Sequence, residues 1–484
     1  MKEKEKENLK SKIFTALFWV FGERILAQLV SVAVSIILAR LLSPEDYGVV
    51  AIVMVFITFA NVFVTSGFGS ALIQKKDADS IDFSSVFYIN ILISFGIYGI
   101  LFFSAPYIAK FFNMDILSPA LRILGIRIIV AAINSIQRAY VSRHMLFKRF
   151  FLSTLLGTLV SGMVGIILAY NGYGVWALVV QYLTNTCIDT TVLWFTVKWR
   201  PVLCCSWERV KTFVTFGWRL LISGLIDSGY SQIRSLLIGK IYSSSDLAYY
   251  NQGDKYPQLI VVNINSSISS VLFPAMANCQ DDKKRVKNMT RAAVQVSSFV
   301  MWPLMLGLAV IASPLIRLLL TDKWMPCVPY LRIFCISYGF WPIHTSNLQA
   351  INAMGRSDLF LELEVVKKIM GMGILIISLH FSPLAIAFSL IVSGLISTFI
   401  NAAPNRRLLG YSYCEQLKDL LPPFIISVIM ALIVFPVQLL NQSDAVTIAM
   451  QIFAGIFIYI FLAVLTKQAG LNFILHFIKE RNKR

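Results

Sequence analysis

Charge is scarce in this chain of 484 residues, where Asp, Glu, Lys and Arg together make up 14%. A soluble globular domain carries about 25%, so a water-filled exterior over most of the surface is excluded. Metal-ligating side chains are few as well. The four histidines, His144, His344, His380 and His476, are scattered without ligand spacing, and no metal site is expected. Seven cysteines form no framework, and most fall in segments facing a reducing compartment, so no structural disulfide is expected. A Gly-rich phosphate loop ending in Gly-Lys-Ser/Thr is missing, which excludes that route to an intrinsic ATP motor. No cofactor is indicated.

Apolar sequence is what the chain has in abundance. Hydrophobic residues reach 57%, and mean hydropathy is +0.72. Apolar runs of about twenty residues recur throughout, each long enough to cross a ~30 Å hydrocarbon core. They predict fourteen spans near 13–39, 47–68, 84–105, 116–137, 151–170, 174–196, 213–238, 247–277, 292–320, 328–352, 358–380, 384–403, 421–440 and 445–466. The first run is too long for a signal-peptide core and reads as a retained helix. Trp341-Pro342 interrupts the tenth span, because proline removes a helix hydrogen bond.

Basic residues supply an independent test of these spans. With the N-terminus inside, alternate short loops hold 29 Lys and Arg, among them Lys75, Arg138, Arg143, Arg209, Lys283 to Lys287, and the C-terminal Lys479 to Arg484. The intervening loops hold only Arg40, Lys110, Lys240 and Lys323. That bias puts both termini on the cytoplasmic side of the membrane. The net charge of +18 is therefore a topology signal, and no loop is long enough to build a nucleic-acid-binding face.

An internal repeat organises the spans. Phe21-Gly22-Glu23-Arg24 recurs as Phe216-Gly217-Trp218-Arg219, and Ala39-Arg40-Leu41-Leu42-Ser43-Pro44-Glu45-Asp46 recurs as Gly239-Lys240-Ile241-Tyr242-Ser243-Ser244-Ser245-Asp246. The copies start six spans apart and so cross the membrane in the same direction, implying two parallel six-helix lobes. The expected fold is all-α and polytopic, with lobes at 1–212 and 213–410 and two further helices with a basic tail at 411–484. Such a body suits alternating access.

Ionisable groups inside spans cost at least ~2.5–3.5 kcal/mol and are functional candidates by default. Arg24, Arg122, Arg127, Arg219, Arg234 and Lys255 are candidate contacts for a phosphate or pyrophosphate. Asp227, Glu23 and Asp254 are candidates for a coupling proton or Na⁺, with Asp227 read as buried between Arg219 and Arg234. Glu23 with Arg24, or Asp227 with a neighbouring arginine, also read as plain ion pairs. Because the bases outnumber the acids, pairing cannot neutralise the set, and an anion cavity is favoured. Glu364 and Lys368 read as a local salt bridge.

Several segments resemble the polysaccharide-transport branch of the multidrug/oligosaccharidyl-lipid/polysaccharide exporter superfamily. They are LARLLSPEDYG at Leu38 to Gly48, the stretch from Leu236 to Met276, Thr321-Asp322-Lys323-Trp324, and WPIHTSNLQAINAMGRSDLFLELEVVKK at Trp341 to Lys368. The resemblance implies a flippase for undecaprenyl-pyrophosphate-linked oligosaccharide, used in O-antigen, capsule or exopolysaccharide assembly. Its partners are that lipid-linked sugar, membrane lipids, a coupling H⁺ or Na⁺, and other assembly proteins. A drug antiporter of the same superfamily is the first alternative. A polymerase, ligase or glycosyltransferase is the second: Asp77-Ala78-Asp79 has a metal-binding carboxylate spacing, but in a short turn it reads as a solvated acidic patch.

Overall fold

A computed structural model describes residues 26–65, 69, 72, 75, 77–204, 206–440, 442–473 and 475. It divides into two compact units, Met1–Ala248 and Tyr249–Arg484. The described residues are helical almost throughout, and nine of their helices are long and apolar enough to cross a membrane. Apolar side chains such as Phe103, Tyr107, Phe453 and Phe457 stand exposed. That arrangement is a liability in water and the expected one against lipid.

The first unit holds α1 (Leu26–Leu41), α2 (Pro44–Thr65), α3 (Ser80–Phe112), α4 (Leu117–Arg143), α5 (Phe147–Tyr170), α6 (Val175–Thr196) and α7 (Trp207–Ile241). α2 is its centre, packing on α3, α4, α6 and α7. α3 starts at Asp79, whose side chain accepts from the Asp82 backbone N–H in a reciprocal capping box. Asp77 and Asp79 are both exposed, as the reading of Asp77-Ala78-Asp79 as a solvated patch expects, and Asp79 in addition caps the helix. Arg209, in the first turn of α7, bonds Asp79 Oδ1 at 2.5 Å and the fully buried Asp82 Oδ1 at 3.2 Å, while Lys75 reaches Asp82 Oδ2 at 2.7 Å. The Arg209 bond, then the Asp82 N–H, hold the Asp79 carboxyl down at about 2. Its ion pair is therefore intact at neutral pH and lost only as pH falls through that value.

The turns before α2 and before α8 (Ser244–Ala277) are built alike. Ser43 N–H and Oγ donate to Asp46 Oδ2 at 3.0 and 2.7 Å, and Asp46 N–H donates back at 3.2 Å. Ser243 and Asp246 repeat all three bonds at 3.2, 2.6 and 3.0 Å. These turns also touch. A Cβ on Gly48 would lie 1.9 Å from the Ser244 carbonyl oxygen, so only glycine permits this approach.

The second unit contains most of α8, then α9 (Lys283–Leu320), α10 (Val328–Gly339), α11 (Trp341–Ala353), α12 (Ser357–Ser378), α13 (Pro383–Leu409), α14 (Tyr413–Val434) and α15 (Asp444–Leu465). The predicted break at Trp341-Pro342 separates α10 from α11. Trp302 fills it, with its ring where a Cβ on Gly339 would sit, 2.4 Å away. It also meets Phe340 and Phe424 edge-on at 5.0 and 4.6 Å. α9 is the centre of this unit, packing on α10, α11, α14 and α15. Asp419 on α14 accepts both nitrogens of Arg291 at 2.7 and 3.0 Å, Gln295 at 2.6 Å and Tyr411 at 2.9 Å. Along α12, Glu364 pairs with Lys367 at 2.5 Å, one residue short of the expected partner.

Prolines inside spans leave carbonyls without a helix donor four residues earlier, and at three of them side chains supply the donor. Pro106 frees Phe102, whose oxygen accepts from Arg122 at 3.3 Å. Pro303 frees Phe299, which accepts from Tyr459 at 2.7 Å, and Pro314 frees Val310, which accepts from Gln438 at 2.7 Å. The last two bonds tie α15 and the 3₁₀ segment Phe435–Leu440 to α9.

Gly48→Ala is expected to cost about 1–3 kcal/mol by overpacking and to lower the thermal midpoint of the purified protein. Gly96→Ala, on an open stretch of α3, should leave the midpoint unchanged or raise it. Equal midpoints for wild type and Gly48→Ala in a thermal-shift assay would contradict the close packing of the two turns.

Candidate functional site

A polar seam runs between α4 and α6 in the first unit. On α4 it comprises Arg127, Asn134 and Arg138, spaced seven and four residues apart and so on one helix face. Facing them on α6 are Tyr182, Thr186 and Asp189, spaced four and three. Arg127 Nε donates to Thr186 Oγ1 at 2.8 Å, its Nη1 approaches Met54 Sδ at 3.6 Å, and the guanidinium lies over the Tyr182 ring, 5.8 Å from the centroid. Among the described residues no carboxylate pairs with Arg127. A hydroxyl, a thioether and a ring solvate its charge without cancelling it, which leaves a positive centre available to an anion.

At the other end of the seam Asp189 Oδ2 accepts from Asn134 Nδ2 at 2.6 Å and Arg138 Nη2 at 2.8 Å. Asp189 is buried and its Oδ1 has no hydrogen-bond partner. Gly157 of α5 approaches Asp189 Cβ closely, so three helices meet there. Neither Asp189 nor Asn134 was among the sequence-derived candidates, and Arg138 was counted as a loop residue. An acid inside the apolar run of α6 was the available signal, since it costs as much as the arginines that were singled out.

The charges of α7 do not form one pocket. Arg219 and Arg234 are fifteen residues apart, roughly 22 Å along the axis, too far for one phosphate to touch both. Arg219 is exposed beside Trp218, and Asp227 is exposed rather than buried between arginines. Arg234 is buried at 7% exposure, stacked 5.4 Å from the Tyr230 ring, and its Nε has no hydrogen-bond partner. Like Arg127, it has no carboxylate partner among the described residues. Arg122 is occupied by the Phe102 carbonyl and lies 4.5 Å from the Phe102 ring centroid.

In the second unit Asp254 accepts from the Tyr338 hydroxyl at 2.5 Å, and Lys255 is half-buried on the same turn of α8. Arg332 donates to the Ala309 carbonyl at 3.2 Å and to Ser313 Oγ at 3.1 Å. Glu23 and Arg24 lie outside the described residues. No cluster of three or more metal-ligating side chains occurs among the described residues.

The family model described as "Polysaccharide biosynthesis protein" matches residues 37–329, more than half of the chain. Among curated proteins, the teichuronic acid biosynthesis protein TuaB of Bacillus subtilis is 25% identical over 84% of this chain and 86% of its own length. The succinoglycan biosynthesis transport protein ExoT of Rhizobium meliloti is 22% identical over 93% and 92%, and the lipopolysaccharide biosynthesis protein WzxC of Escherichia coli is 21% identical over 81% and 80%. Among solved structures, the lipid II flippase MurJ in an inward closed conformation superposes with a TM-score of 0.73 at 17% identity, over 94% of this chain and 98% of that one. An inward-facing multidrug resistance transporter reaches 0.62 at 15%, over 79% and 94%. The fold is thus shared with a lipid flippase along nearly its whole length, and the chain belongs to the polysaccharide biosynthesis protein family.

Proposed function

We propose that this chain is a flippase that moves a polyprenyl-pyrophosphate-linked oligosaccharide from the cytoplasmic to the outer leaflet of a bacterial inner membrane. The observation that carries the reading is Arg127: a guanidinium on an apolar helix, solvated by neutral groups and left with its charge, in a family whose members serve polysaccharide assembly. Arg234 adds a second such centre. An acceptor of drug cations would be expected to present uncancelled acids instead.

The working arrangement is alternating access by two six-helix lobes, 1–212 and 213–410, with 411–484 appended. Counting α10 and α11 as one broken span, the described helices number fourteen. The twin Ser–Asp turns before α2 and α8 support the duplication. Work against the gradient comes from an ion gradient or the membrane potential. Asp227 is the first coupling candidate, because an exposed carboxylate on α7 can exchange a proton or Na⁺ without the full desolvation penalty. Glu23 and Asp254 follow it.

Three outcomes are expected. Arg127→Ala and Arg234→Ala should each abolish polymer export and cause the lipid-linked intermediate to accumulate in a deletion strain, while the protein still reaches the membrane. Lys should rescue only in part, since it lacks the planar fork; full export by both alanine variants would remove the anion site. Cysteine labelling should find positions 283–287 and the C-terminus cytoplasmic and position 323 external, and an external C-terminus would overturn the fourteen-span topology. Asp227→Asn should blunt the response of flipping to an imposed pH, Na⁺ or voltage gradient more than it weakens substrate binding; an unchanged gradient response leaves the residue outside coupling.

A further inference from the structure

Among the described residues Arg209–Asp82, Arg291–Asp419 and Arg138–Asp189 each join a buried aspartate to a partly exposed arginine, and the last two differ in what they leave open. In the second unit Asp419 takes two nitrogens of Arg291 together with Gln295 and Tyr411, so both carboxylate oxygens are occupied. In the first unit Asp189 holds Arg138 by Nη2 alone, at 2.8 Å. Nε and Nη1 of Arg138 have no partner among the described residues, and its side chain is 50% exposed while that of Asp189 is 9% exposed. Phe150 of α5 lies beneath the guanidinium, 5.7 Å from ring centroid to Cζ. The group is thus anchored on one nitrogen, backed by a ring, and presents the rest of its donor fork to whatever lies outside.

Its position gives that fork a use. Arg138 lies on the same face of α4 as Arg127, eleven residues further on, roughly 16 Å along the axis. By the charge bias of the loops it is toward the cytoplasmic end. Asn134 and Asp189 fill the seam between the two arginines. We propose that Arg138 is a phosphate-binding residue at the cytoplasmic end of this seam, with Asp189 as its positioning residue, and that it meets the substrate's pyrophosphate before Arg127 does. The inference rests on the flippase reading, because it is that reading that supplies a pyrophosphate. A planar fork with free N–H groups matches phosphate oxygens in pairs, and a fixed guanidinium gives up less side-chain freedom on binding than a free one.

The test uses the full chain in nanodiscs of phosphatidylcholine, with undecaprenyl pyrophosphate as the probe and binding read by native mass spectrometry. Arg138→Ala should weaken binding about tenfold, the effect of losing one charge-assisted hydrogen bond, and Arg138→Lys should recover part of it. The exchanged pair Arg138→Asp with Asp189→Arg keeps an ion pair between α4 and α6, so it should retain the wild-type thermal midpoint and still bind at least tenfold more weakly. Wild-type binding by the exchanged pair makes the contact structural and overturns the proposal. Arg127→Ala separates the two levels: if it weakens binding while Arg138→Ala stays within twofold of wild type, the flippase reading stands and this inference falls. If wild type itself does not bind the probe, the flippase reading fails with it. Replacing a third of the lipid by phosphatidylglycerol should change wild-type binding less than twofold; a larger loss, absent in Arg138→Ala, assigns Arg138 to bulk lipid phosphate and overturns the proposal.

Discussion

A hydrocarbon slab offers no hydrogen bonds, so every polar group inside it must find a partner within the protein or be kept for a ligand. Several departures from an apolar helix here are answered in one of those two ways. Carbonyls freed by Pro106, Pro303 and Pro314 receive Arg122, Tyr459 and Gln438. The carboxylate of Asp419 receives four donors from three side chains. Arg127 and Arg234 have no carboxylate partner among the described residues, Arg138 meets its carboxylate by one nitrogen alone, and all three lie in the first unit.

The same constraint explains why the last two helices are bound so firmly to α9. A proline in α9 is costly only while its orphaned carbonyl stays bare. Two such carbonyls are met from the C-terminal segment, by Tyr459 and Gln438, and the Asp419 cage adds a third attachment near the other end of α9. Losing the C-terminal segment would strip donors from α9 as well as apolar contacts.

Much of this was legible in the sequence because lipid leaves few choices. Hydropathy located the nine long apolar helices found among the described residues, and Trp341-Pro342 marked the break that Trp302 fills. The repeated Ser-x-x-Asp turns were visible as a pattern, though their contact through Gly48 was not, since a missing side chain leaves no signal about what approaches it. Individual charges were harder. Arg127 was found because it lies deep in an apolar run, whereas Arg138 looked like a loop residue and Asp189 was passed over among threonines. Asp227 was misjudged as buried because spacing along one helix says which residues share a stripe and nothing about what covers it. Asp79 is solvated as read, but its ion pair was not legible because the partner, Arg209, is 130 residues away in the chain.

Transport of a lipid-linked sugar is the claim on which the rest stands, and it can be tested on the purified protein alone. Proteoliposomes carrying a fluorescent polyprenyl-pyrophosphate oligosaccharide are treated with a membrane-impermeant quencher, and the protected fraction is followed over time. Wild-type protein should bring the inner-leaflet pool within reach of the quencher, Arg127→Ala should behave like protein-free liposomes, and a fluorescent phosphatidylcholine should stay protected in both. Wild-type protein that leaves the sugar lipid protected, or moves phosphatidylcholine equally fast, would contradict the account.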